Sequence, residues 1–420
     1  MTRSQDRNST SWLWILIAAA VLTQTGVNLL RPVTTYKLLD FGAAAGAVGA
    51  TTAAYAIIPL VVAIWLGRLT DRIRGLRLLL VSGALLLGLG GLGLALAPDV
   101  ALVFVASALL GLGHLVFTIT GQTAVARYSS PQRMDAGFGW FTAAFSTGQF
   151  LGPVLGGWFV EHLGVGATLW IGTLISAAGA LPFLFSFGAA GAVTMPDGSA
   201  RHGAQGDSAS SGIGISGAES NAAKPTMWAI LRTPGIPVTM LAALSLLSML
   251  DILTAFLPLV GEQAGVGPGV VGTLLGLRAA ASILCRIALP AMTARVGRRP
   301  LMLWCLFASG ITLLFPPVAL LLWSGTGGVV TAGVLLVIGG FFLGIGQPLT
   351  MSAISQAVPA SWRGSALAVR LMGNRLGQVV IPALGGLVAA AGAAGAVWMC
   401  CGLLLVSGVA MTVSRQGRGD

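Results

Sequence analysis

Twelve apolar stretches, each close to or above the roughly 20 residues that an α-helix needs to cross a bilayer, set the terms for this chain. They run over about 12–31, 43–66, 78–97, 100–123, 137–160, 166–187, 237–260, 270–292, 301–323, 329–350, 366–390 and 394–413, the last two blurring through Ala389–Ala396. The first is too long for a cleavable signal peptide and lacks a clear small-residue cleavage site. Composition agrees: 8% of the 420 residues are charged and 55% are hydrophobic, whereas a soluble globular protein carries about 25% charged residues. So few charges cannot coat a water-facing surface, which argues against a soluble enzyme, a nucleic-acid binder and a disordered scaffold. The expected fold class is all-α integral membrane, with twelve transmembrane helices.

The net charge of +11 sorts by side. With the N-terminus in the cytoplasm, the inner segments hold basic residues from Arg3, Arg68, Arg72, Arg74 and Arg77 through Arg127, Arg133, Arg232, Arg295, Arg298 and Arg299 to Arg363 and Arg418. The outer loops hold only Lys37, whereas Asp40, Asp99, Glu161 and Glu262 fall outside. This is the positive-inside pattern. It predicts a multi-pass protein of the plasma (inner) membrane with both termini cytoplasmic, and it accounts for the basic excess without a nucleic-acid partner. The partners expected are the lipid bilayer and a small-molecule substrate, and the chain is expected to be a monomer.

Gly188–Pro225 is rich in Gly, Ala and Ser and cannot build a core, so it reads as a flexible cytoplasmic linker. The expected domains are a six-helix bundle over 1–187, a linker over 188–234 and a second six-helix bundle over 235–420. Cys285, Cys305, Cys400 and Cys401 all lie in apolar runs without CxxC or metal-ligand spacing, and read as small buried hydrophobes. No metal or other cofactor is expected. With no GxxxxGK[ST] loop in the sequence, an ion gradient, most simply of protons, is the expected energy source.

The halves echo each other. Gly148-Gln149, Pro153 and Gly156-Gly157 recur as Gly377-Gln378, Pro382 and Gly385-Gly386, at a constant offset of 229. Leu110–His114 reads LGLGH and Leu343–Gln347 reads LGIGQ, each in the fourth span of its half. Duplicated halves with a site between them are a common transporter architecture.

The loop after the second span reads Gly67-Arg68-Leu69-Thr70-Asp71-Arg72-Ile73-Arg74-Gly75-Leu76-Arg77. It resembles the G-x-L-A-D-R-x-G-R-K loop of the major facilitator superfamily, with the second glycine one residue late, and the resemblance extends over essentially the whole chain. The matching loop of the second half keeps Arg295-Val296-Gly297-Arg298-Arg299-Pro300, with Pro290 and Ala294 where the family often has Gly and Asp. The resemblance implies two six-helix pseudo-repeat bundles and a drug- or metabolite-efflux type of protein. It also implies an inner gating network at Gly67, Asp71, Arg72, Arg74, Arg295, Gly297 and Arg298. Gly67 is expected to let two helices approach closely, and Asp71 to sit by a helix N-terminus or an arginine. In the fifth span Gly148, Gly152, Pro153, Gly156 and Gly157 look like the family's glycine-proline antiporter signature. Glycines four apart give a flat packing face, and a proline permits a bend.

Ionisable groups inside spans are costly and mark functional sites. Asp251 is the one carboxylate within a span. Its depth matches that of Arg278 on the next span, which predicts an Asp251–Arg278 pair: a structural ion pair, or a proton or substrate site whose partner is released when Asp251 takes a proton. His114 is a second proton-sensitive candidate or a hydrogen-bonded helix–helix histidine. Arg370 and Asn374 share a face of span eleven, Arg375 lies deeper, and guanidinium groups hold carboxylates and phosphates well. Asn28 and Gln149 join Gln24, Gln122 and Gln378 as polar wall residues. Arg286 and Arg31 are expected to snorkel.

These features predict a secondary transporter working by alternating access, with proton-coupled efflux of a small organic compound leading. Uptake or exchange of an anionic metabolite is the alternative raised by the excess of arginines. A membrane enzyme or a non-transporting sensor is more remote, since no HExxH, paired-carboxylate or Ser/His/Asp constellation is present.

Overall fold

A computed structural model describes residues 11–73, 75–129, 133–185, 227–323, 325–359 and 362–414. Among these residues the secondary structure is entirely helical. The helices are α1 (Ser11–Asp40), α2 (Ala45–Arg72), α3 (Arg77–Leu96), α4 (Val100–Tyr128), α5 (Met134–Ala178), α6 (Leu181–Phe185), α7 (Met227–Leu231), α8 (Ile236–Gln263), α9 (Pro268–Val296), α10 (Arg298–Thr312), α11 (Phe315–Leu322), α12 (Thr326–Gln356), α13 (Arg363–Ala389) and α14 (Gly395–Val413). The helical state follows from the medium, which offers no partner for an unpaired N–H or C=O. Hydroxyls inside the helices bond back to their own turn, as Thr23 does to Ala19 O and Thr34 to Leu30 O.

Ten helical segments of the described residues are long and apolar enough to cross a membrane, by length and composition. The difference from the expected twelve lies in two places. Residues 136–184 count as one candidate, yet α5 leaves helical geometry at Gly164 (φ 81°, ψ 169°), a left-handed φ that favours glycine. The other place is α13, which carries Arg370 and Arg375 and is not among the ten. Of the expected linker, residues 188–226 lie outside the described residues, and Met227–Leu231 within it is helical.

The two halves pack most closely at one end. At the end where α1 begins, each half has its own core. Trp12, Leu16, Leu80, Phe117, Phe141 and Phe183 form one, and Ile230, Ile236, Ile354 and Val369 form another. Towards the far end a single core takes in both halves, from Val33 and Leu38 to Phe256 and Val260. There the crossings are glycine against glycine. A Cβ built on Gly49 of α2 would lie 2.7 Å from Cα of Gly386 on α13, and one on Gly157 of α5 would lie 3.0 Å from Cα of Gly272 on α9. The repeated Gly-Gly pair therefore marks where each half touches the other. The bundle is closed at the far end and parted at the end carrying the termini.

Candidate functional site

Where the halves part, a polar network crosses between them. Asp251, in the middle of α8 and 4% exposed, is held from both sides. Arg31 Nη2 on α1 donates to Asp251 Oδ1 at 2.6 Å, and Gln378 Nε2 on α13 donates to Asp251 Oδ2 at 2.8 Å. Gln378 Oε1 in turn accepts from Arg375 Nη1 at 2.9 Å. On the first-half side the Arg31 guanidinium carbon stands 4.7 Å from the ring centre of Tyr55. The Tyr55 hydroxyl lies 2.5 Å from His114 Nδ1. One carboxylate of the second half thus ties to a cation, a phenol and an imidazole of the first. Thr35 Oγ1 adds a cross-half bond to Ala255 O at 2.9 Å.

This geometry corrects two expectations. The partner of Asp251 is Arg31, and Arg278 makes no hydrogen bond to it. Arg31 does not snorkel: it is largely enclosed, its side chain 18% exposed, and ion-paired. Hydropathy ended the first span at residue 31, but α1 continues to Asp40 through Thr34 and Thr35. Nine further helical residues carry Arg31 about 13 Å inside the helix end. Breaking such a pair from one side leaves an uncompensated buried charge, which costs about 3–5 kcal/mol.

The other candidates divide. His114 and Arg375 join the network, and Arg278 is 6% exposed and within electrostatic reach of Asp251 and Arg31. Asn374, also 6% exposed, lies one turn before Gln378. Arg370 stands apart, with Nη2 donating to Thr350 Oγ1 at 3.1 Å and to Gln347 O at 3.4 Å. Asn28 Nδ2 bonds to Gln24 O of its own helix at 2.8 Å, and Gln149 is half-buried beside Gly148. Arg286 reaches across the halves to Ser146 Oγ at 3.5 Å rather than snorkelling.

In the expected gating loops Arg72, Arg295 and Arg298 are exposed, and Gly297 makes a turn between α9 and α10 with φ 83°. Arg74 and the Asp71 side chain lie outside the described residues. Gly67 does not serve a close helix contact, since a Cβ there would meet nothing within 4 Å. Instead Arg127 of α4 caps the end of α2, donating to Ile73 O and Thr70 O at 2.7 Å each. That is the ordinary use of a cation at a helix C-terminus. In the fifth-span motif Gly148, Gly152 and Gly156 pack on α1, and Gly157 faces the other half.

Sequence reasoning missed Tyr55, Gly49 and a far-end latch in which Glu161 Oε2 of α5 accepts from Gly269 N, in the first turn of α9, at 2.8 Å. Tyr55 had a signal, being one of three tyrosines in the chain and placed within an apolar span.

With the two-half architecture and its polar centre described, the sequence comparison is decisive. Residues 16–315 and 239–418 match the profile of the Major Facilitator Superfamily. The chain belongs to the Major Facilitator Superfamily. As a member of it, the chain is a multi-pass membrane protein. It is 32% identical over 184 residues to the tetracycline resistance protein, class B, of Escherichia coli, covering 41% of this chain and 43% of that one. It is 30% identical over 150 residues to multidrug resistance protein 1 of Bacillus subtilis (strain 168), covering 36% and 38%. These matches span less than half the length of either relative. The fold extends further. The nucleoside transporter NupG aligns with a TM-score of 0.72 at 14% identity over 96% of this chain and 100% of its own. A peptide transporter POT solved with sulfate gives 0.69 at 17% identity, over 96% and 94%.

Proposed function

We propose that this superfamily member is a secondary transporter that exports a small organic compound by alternating access, driven by protons exchanged at Asp251. The observation that carries the reading is the double hold on Asp251. Its charge is bonded at once to Arg31 of the opposite half and to Gln378 of its own. A proton on Asp251 removes the charge that Arg31 binds and so weakens a tie between halves that must separate for access to change sides. Removal of the proton restores the tie. Tyr55 and His114 hold the other end of Arg31's surroundings in place.

Export is favoured by the similarity to tetracycline and multidrug resistance proteins and by the glycine-proline motif of α5. The excess of arginines in the loops on the side where α1 begins supports a plasma-membrane protein with both termini cytoplasmic, and on that reading this conformer opens inward. Twelve crossings follow if α5 is divided at Gly164 and α13 is counted. Both sides of the network belong to one chain, so a monomer suffices.

The test is transport in proteoliposomes with an imposed pH gradient. In Asp251→Asn, gradient-driven accumulation is expected to be lost while exchange of substrate across the membrane persists. Accumulation that continues at the wild-type rate in this variant would overturn the assignment.

A further inference from the structure

Five arginines stand within the apolar spans, at positions 31, 278, 286, 370 and 375, and Asp251 is the one carboxylate within the spans. The Arg31–Asp251 pair uses that carboxylate and is the only ion pair among the described residues. The remaining four guanidiniums form no ion pair among the described residues, and the Nε of each is enclosed without a hydrogen-bond partner. Arg375, Arg370 and Arg286 find neutral oxygens in Gln378, Thr350 and Ser146. Arg278 finds none, although it is 6% exposed.

Its seat is built nonetheless. A Cβ on Gly340 of α12 would lie 2.8 Å from Arg278 Cγ, so the glycine makes room for the arginine stem. Arg278 follows Pro268, the first residue of α9, by ten positions, about 15 Å along the helix and close to the middle of a bilayer. An unpaired guanidinium at that depth is costly, and the charged groups in electrostatic reach are Arg286, Asp251 and Arg31, two cations to one carboxylate that Arg31 already binds. Its planar fork of donors matches carboxylate, phosphate and sulfonate groups.

We propose that Arg278 is the seat of an anionic group on the compound this protein carries, in the positive field of Arg286 and the Arg31–Asp251 network. The proposal rests on the transporter reading above and adds the charge of the cargo.

The experiment uses the full chain in lipid nanodiscs. Thermal stabilisation and tryptophan fluorescence are read with benzoate, phenyl phosphate and benzenesulfonate, with benzamide and benzylamine as neutral and cationic matches, and with chloride and sulfate as inorganic anions. The organic anions are expected to bind and the neutral and cationic matches are not. Arg278→Met is expected to weaken anion binding about tenfold or more, with Arg278→Lys between it and the wild type. Without ligand, Arg278→Met is expected to unfold no earlier than the wild type, because an apolar side chain replaces an unpaired buried charge. A purely structural arginine would give the opposite.

The proposal is overturned if benzylamine binds in preference, if no organic anion binds at millimolar concentration, if chloride or sulfate shifts the midpoint equally, or if Arg278→Met binds as the wild type does. Solute-driven proton flux, followed with an entrapped pH dye, separates the two readings. Cation-driven flux that needs Asp251 would sink the anion seat and keep the transporter. Anion binding at Arg278 with flux indifferent to Asp251→Asn would do the reverse.

Discussion

The two copies of the Gly-Gln, Pro, Gly-Gly motif share a sequence pattern and do different work. In the first half, α5 lies backbone to backbone on α1: a Cβ on Gly148 would stand 2.5 Å from the carbonyl carbon of Gln24, and one on Gly152 would stand 2.7 Å from that of Asn28. In the second half, Ile381 occupies the position of Gly152, and Gly377 and Gly385 meet the side chains of Leu244 and Ile252. So α1 and α5 form a seam of close backbone contact, whereas a layer of side chains spaces α13 from α8. That spacing is where Asp251, Gln378 and Arg375 fit. One copy is a structural weld and the other is a chamber wall.

The largest effect is expected on making the weld resemble the wall. Gly152→Ile drives a branched side chain into the α1 backbone, which cannot yield. A loss of about 3 kcal/mol or more follows, and little folded protein should survive detergent extraction followed by gel filtration.

The matched pair Gly148→Ala and Gly377→Ala tests the same idea with one methyl group. At Gly148 the obstacles are Gln24 Cβ and the α1 main chain that fixes it, at 2.4 and 2.5 Å, so a cost of about 1–3 kcal/mol is expected. At Gly377 the nearest atom is Leu244 Cγ, at 2.5 Å from a built Cβ. A leucine can turn away, and the cost should stay below about 1 kcal/mol. Equal shifts in unfolding midpoint for the two variants would refute the distinction.

Gly385→Ala should change least. The built Cβ meets Ile252 Cδ1 at 2.9 Å, with Ala396 Cβ and Met399 Cε at ordinary contact distance of 3.4 and 3.5 Å, and alanine favours helix by about 1 kcal/mol over glycine. A neutral or slightly raised midpoint is expected, and a drop as large as that of Gly148→Ala would mean that this seam is as tight as the first.

Much of the fold was legible because a bilayer leaves few options. The apolar runs, the repeat and Asp251 were all visible as departures from, or repetitions of, an apolar background. The network was only half legible. Depth matching paired Asp251 with Arg278 because they sit on consecutive spans, but the structure pairs it with Arg31, 220 residues away in sequence, across the boundary between halves. Chain adjacency says little about which helices face each other over that boundary. Arg31 was placed at a helix end because the residues after it are polar, and hydropathy does not register that Thr34 satisfies itself within the helix. Tyr55 passed as one more apolar residue. Gly67 was misread for the converse reason, since a family motif fixes residue identity without saying what each glycine faces in this chain.

The glycine-on-glycine crossings at the far end bear on speed. Gly49 against Gly386 and Gly157 against Gly272 bring flat backbone surfaces together, while one turn further along α9 the side chain of Val154 sits against Gly276. At the glycine pairs themselves the surfaces can part without a rotamer change, whereas Val154 has to lift off Gly276. The waiting time for opening then depends as well on the discrete bonds that span the boundary, those of Asp251, Glu161, Thr35 and Arg286.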